Sequence, residues 1–138
     1  MPLPGGQGDT DLIPIIENIL FPICEEFKPE LVLVSAGFDI YWMDPLGSMK
    51  VSEKGFGLLT DVVLHIADRY CGGKVVMALE GGYHPDGLAA SVHEVLEVLC
   101  GKTKIDRDTD FTPNPMTRSI IQRCKVIHKN YWKGFQEV

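Results

Sequence analysis

Residues Leu31 to Gly47 read LVLVSAGFDIYWMDPLG. The stretch opens on Leu31–Val34, an unbroken apolar run of the kind expected in a parallel strand covered on both faces. Ser35, Ala36 and Gly37 follow, small enough to let other atoms approach the strand's carboxyl end. Two carboxylates, Asp39 and Asp44, come next. Open α/β sheets gather ligands outside the carboxyl ends of their strands. One of these aspartates is therefore expected to do chemistry, Asp44 ahead of Asp39. The competing reading is a plain turn, because Asp44-Pro45 with Gly47 is ordinary turn chemistry. Taken alone, the stretch favours the turn.

Working outward, the preceding segment recurs at Leu12, Ile15, Ile16, Ile19, Leu20, Ile23 and Phe27, one apolar stripe at helical spacing. Asp11 is the expected N-cap and Lys28-Pro29 the end. Pro14 fits only the first turn, and Pro22 should kink or split the helix. Met1–Asp11, rich in Gly and Pro, reads as an irregular arm. On the other side, Ser52 is placed to cap a second helix that buries Phe56, Leu59, Val62, Val63, Ile66 and Tyr70 and stops at Gly72-Gly73. Lys74–Leu79 is a second short apolar strand. Strand, helix, strand in this order predicts a parallel crossover with flanking helices, an α/β fold. Pro85 or the residues just after it then open a third helix with Leu88, Val92, Val95, Leu96 and Leu99 inward. Residues 102–138 read as a charged loop followed by a last helix, capped by Asn114 before Pro115 and carrying Ile120, Ile121, Cys124, Ile127, Tyr131 and Phe135.

Composition sets outer bounds. The chain has 138 residues, enough for one ordinary domain, with 45% hydrophobic and 23% charged residues. Its net charge of −6, without a basic cluster, argues against nucleic acid or an anionic membrane as partner. Cys24, Cys71, Cys100 and Cys124 form no CxxC pair and fit core thiols of a reducing cytoplasm. The N-terminus lacks the basic and apolar regions of a secretory signal, which also points to the cytoplasm.

The second strand ends in LEGGY, residues 79–83. Both strand tips are thus expected on one side of the sheet, one bringing Asp44 and the other Tyr83. Two glycines before a phenol let the backbone come close to a ligand while the hydroxyl projects into the site. A carboxylate beside a phenol suits metal-assisted acyl chemistry, in which the metal holds a water and the phenol donates to a developing oxyanion.

SAGFD at 35–39, DPLG at 44–47 and LEGGY at 79–83, in this order and at this spacing, resemble the zinc-dependent histone deacetylase superfamily. The resemblance is nearest to its acetoin-utilisation and class II-like members and runs from about Pro2 to Gly101. It implies the C-terminal part of an arginase-like three-layer fold and the removal of acyl groups from lysine side chains or related amines. By the same resemblance Asp44 is a zinc ligand and Tyr83 the residue that polarises the substrate carbonyl. Gly81, Gly82 and Val51 match positions of the acyl-lysine channel, Val51 at its rim, and Asp39 supports the loop.

The family's other zinc ligands come as Asp-x-His, and its general base sits in a His-His pair. His65, His84, His93 and His128 match neither pattern. His84 is read as a loop-bonding neighbour of Tyr83, and His93-Glu94 fails HExxH because Glu97 stands at the last position. The chain thus reads as one part of a catalytic domain, which implies a complementing N-terminal fragment or self-association. Two alternatives stay open. One is a non-catalytic α/β assembly module. The other is a phosphate-binding domain using Gly81-Gly82 before a helix, weakened by the lack of GxGxxG or a Walker lysine.

Overall fold

The computed structural model describes residues 2–103 and 111–136. Helix α1 spans Asp9–Ile15. Gly8, not Asp11, is its N-cap. Asp11 instead lies in the first turn and reaches back to the Gly8 N–H over 3.4 Å. Asp9 and Asp11 both place negative charge at the positive end of the helix. A π-helical turn, Ile16–Leu20, follows and closes with the Phe21 N–H on the Ile16 carbonyl. Helix α2, Phe21–Phe27, then starts afresh with Pro22 in its first turn, so the expected split falls where Pro22 has no N–H to give. Lys28 takes the left-handed conformation, φ 52°, and ends it before Pro29.

Strands β1, Val32–Ala36, and β2, Val75–Leu79, pair in parallel, with Leu33 opposite Val76 and Ala36 opposite Leu79. Helix α3, Glu53–Cys71, joins them. The Ser52 hydroxyl accepts from the Gly55 N–H at its start, and Gly72, φ 62°, turns the chain out at its end. Helix α4, Pro85–Leu99, follows β2, and helix α5, Pro115–His128, begins at the Asn114 cap. A short 3-10 turn, Lys133–Phe135, buries Phe135. Of the charged loop expected from residue 102, residues 104–110 lie outside the described part.

Two apolar clusters hold these elements together. Ile13, Cys24, Val62 and Ile66 join α1 and α2 to α3 and receive Val32 of β1. Phe38, Tyr41, Val51 and Phe56 lie beneath the site loops, and Leu88, Val92 and Val95 of α4 pack against them.

Three expectations are corrected. The strands are not covered on both faces. Leu33 is 71% exposed and Val76 53%, so among the described residues the helices cover one face only. Leu96 and Leu99 of α4 are exposed, because nothing described packs beyond β2. Tyr131 falls past the end of α5 at His128 and is exposed, Ile127 within α5 is exposed as well, and Phe135 lies in the 3-10 turn and not in the helix.

Candidate active site at the strand tips

The tips of β1 and β2 are tied together beyond the ladder. The Glu80 N–H donates to the Ala36 carbonyl (3.1 Å) and the Phe38 N–H to the Gly81 carbonyl (2.8 Å). Past Phe38 the chain turns tightly, with Tyr41 N–H on Phe38 O and Asp44 N–H on Tyr41 O. These two turns bring the Asp44 side chain back beneath the second strand tip. The Tyr83 N–H donates to Asp44 Oδ2 over 2.6 Å, and the Leu46 and Gly47 N–H groups donate to Oδ1 at 2.9 Å each.

Asp44 is buried, 8% exposed as a residue. Burial pushes its carboxyl up, but the main-chain N–H groups of Tyr83, Leu46, Gly47 and His84 outweigh it and hold the group below the usual carboxylate range. The result is a fixed, charged acceptor at the meeting point of the two motifs. Tyr83 itself is half exposed.

Gly47 and Gly82 are demanded by this geometry. A Cβ at Gly47 would overlap the Asp39 carbonyl oxygen. Gly82 has φ 132°, and a Cβ there would press on Phe38 and Leu88. The Asp39 carboxylate lies against Gly81 and Gly37, between the two strand tips.

Val51 is not on a rim. It is fully buried at 0% exposure, its N–H on the Ile40 carbonyl and its carbonyl accepting from Trp42, with its side chain among Phe38, Tyr41 and Phe56. The paired backbone turns it inward, which corrects its placement as a channel residue. His84 caps α4 through Nδ1, which accepts from the Gly87 N–H at 2.9 Å.

Tyr41 lies in the same loop as Asp44 and is buried. Its phenol donates to Glu53 Oε1 over 2.6 Å, and its ring lies 5.6 Å from the His84 ring and against Gly87. That bond to Glu53 is the main reason the Tyr41 hydroxyl is pushed up and the Glu53 carboxyl is held down. Tyr41 thus packs the Asp44 loop onto the start of α4.

Residues 1–99 match the family model described as Histone deacetylase domain. The chain belongs to the histone deacetylase family. Histone deacetylase 14, chloroplastic, of Arabidopsis thaliana is 36% identical over 134 residues, covering 93% of this chain and 32% of that protein. Polyamine deacetylase HDAC10 of Homo sapiens is 36% identical over 132 residues, covering 96% and 19%. The solved HD domain of HDA15 superposes with a TM-score of 0.83 at 33% identity, over 96% of this chain and 35% of that one. The histone deacetylase Clr3 superposes with the same TM-score at 30% identity, over 96% and 21%. The chain therefore spans about a third or less of the length of these relatives.

The family is generally zinc-dependent. A catalytic zinc takes about three protein ligands. Among the described residues no group of three or more His, Cys, Asp or Glu side chains could hold a metal ion, so the described donor set does not fit a zinc by itself. No described helix is long and apolar enough to cross a membrane.

Proposed function

We propose that this chain supplies the Asp44 carboxylate and the Tyr83 phenol to a zinc-dependent deacetylase site that hydrolyses an acyl-lysine or related acyl-amine amide. The carrying observation is the 2.6 Å bond from the Tyr83 N–H to Asp44 Oδ2. It ties the carboxylate of one motif to the backbone of the phenol in the other. Tyr83 donates to the substrate carbonyl as negative charge develops on its oxygen. Gly81 and Gly82, without side chains, leave room for the acyl chain beside it. Asp39 supports the loop from between the strand tips.

The two further metal ligands and the general base come from a complementing N-terminal segment bearing Asp-x-His and His-His, or from a longer form of the chain. The bare sheet face with Leu33 and Val76 is where such a segment packs. A reducing cytoplasm suits the four free cysteines. The test is to mix the chain with an N-terminal deacetylase segment carrying those motifs and measure bound zinc. One zinc per complex is expected, lost in Asp44→Ala, with none retained by the chain alone. Zinc retained equally by the Asp44→Ala complex would contradict the reading.

A second reading, a non-catalytic α/β assembly module, is favoured by the lack of any three-ligand group among the described residues. In that case the complex forms but Tyr83→Phe changes nothing measurable.

A further inference from the structure

The loop that carries Asp44 is held from behind by the N-terminal arm. The Gly6 N–H donates to the Ser48 carbonyl (2.6 Å) and the Lys50 N–H to the Gln7 carbonyl (2.7 Å). Gly8 and Lys50 form a parallel bridge, and on the other side Val51 bridges Tyr41. The segment after Asp44 is therefore sandwiched between the arm and residues 40–42. Asp9 closes the sandwich: its Oδ1 accepts from the Ser52 N–H at 2.9 Å and its Oδ2 from the Ser52 hydroxyl at 2.6 Å.

Arm residues 2–7 have no helix or strand of their own, so these bonds do not explain what fixes the arm. Gln7 does. Its side chain is buried, and its Oε1 accepts from Asn114 Nδ2 at 2.6 Å and from the Thr117 hydroxyl at 2.8 Å. Thr117 is fully buried, and the Asn114 N–H adds a bond to Asp11 Oδ1 at 3.1 Å. Both donors to Gln7 lie in α5 or its cap, beyond residues 1–99 that match the family model. Removing a buried acceptor that serves two donors leaves both donors unsatisfied.

We propose that Gln7 is a positioning residue for the Asp44 loop, with α5 as the brace against which it holds the arm. The proposal rests on Asp44 being a site residue, but the placement it describes is testable without zinc or substrate.

The test is site-resolved hydrogen exchange on the full chain. The Gly47 and Tyr83 amides, both bonded to Asp44, report the loop, whereas Ile66 in α3 and Val76 in β2, whose N–H faces β1 in the ladder, report the frame. In Gln7→Ala the loop amides should exchange about tenfold faster while the frame amides keep their rates. Thr117→Val, which keeps the shape and removes the hydroxyl, should move the loop amides the same way. Thr117→Ser, which keeps the hydroxyl, should restore wild-type rates. Equal acceleration at all four amides would make Gln7 a general stabiliser and overturn the proposal. Unchanged rates at Gly47 and Tyr83 would overturn it too. If Gln7→Ala does not fold, Thr117→Val against Thr117→Ser decides by the same criteria. A failed zinc or turnover assay leaves these exchange rates untouched, so the two readings fail separately.

Discussion

The Tyr83 N–H donates to Asp44 Oδ2 across 2.6 Å, linking residues 39 positions apart in sequence. The bond is available because β1 and β2 are parallel neighbours whose tips end level, Ala36 opposite Leu79. A one-residue slip in that register would carry the Tyr83 amide away from the carboxylate.

The charge on Asp44 should be visible in acid. Its folded carboxyl lies below the ordinary range, so the unfolded chain, near about 3.9, takes up the proton first. The stability it confers is complete above that value and is lost as pH falls through the lower folded one. The drop in urea midpoint between about pH 5 and about pH 3 is expected to be smaller in Asp44→Asn than in wild type. Equal drops would mean that the four N–H groups do not hold the charge.

Gly87 gives way to no side chain. A Cβ there would overlap the Tyr41 ring, which Glu53 and the core hold in place. Gly87→Ala should destabilise by about 1–3 kcal/mol through overpacking, measured by urea denaturation. Adding Tyr41→Ala should remove most of the extra cost of Gly87→Ala, and purely additive effects would contradict the contact.

Ser91 lies in α4, fully buried, and its hydroxyl has no hydrogen-bond partner among the described residues. Ser91→Ala deletes an unsatisfied polar group with little change in volume. It should raise stability by about 1 kcal/mol, read as a higher urea midpoint at unchanged slope. A loss of that size would show that the hydroxyl is bonded in solution.

Leu33 and Val76 sit side by side on the bare face of the sheet. Large exposed apolar patches associate. Sedimentation of the chain should show concentration-dependent association, abolished by Leu33→Lys with Val76→Glu, a pair that matches charge across the strands. A wild-type chain that stays monomeric at every concentration would contradict this.

Much of this was legible in the sequence because the deciding signals are local. The Leu31–Val34 and Lys74–Leu79 apolar runs, the Ser52 and Asn114 caps and the Gly72 stop each depend on a few neighbouring residues, and the caps and stop fall where expected while the strands, Val32–Ala36 and Val75–Leu79, fall within two residues of it. The meeting of the two motifs followed from parallel order. What was not legible depends on distant partners. The Gly/Pro-rich arm reads as irregular, and nothing in it announces that Gln7 will meet Thr117 or Asp9 meet Ser52. Val51 follows the DPLG turn at a channel position, yet pairing with Ile40 and Trp42 turns it into the core. Leu96 and Leu99 have the spacing of buried residues, but spacing cannot say whether anything lies beyond β2.

The most direct measurement is turnover of an acetyl-lysine peptide by the chain combined with an N-terminal deacetylase segment, wild type against Tyr83→Phe. Wild type should turn over, and Tyr83→Phe should lose about 10²–10³-fold in rate while the complex still forms. No turnover from the wild-type complex, or equal rates with and without the phenol, would contradict a shared active site built on Asp44 and Tyr83.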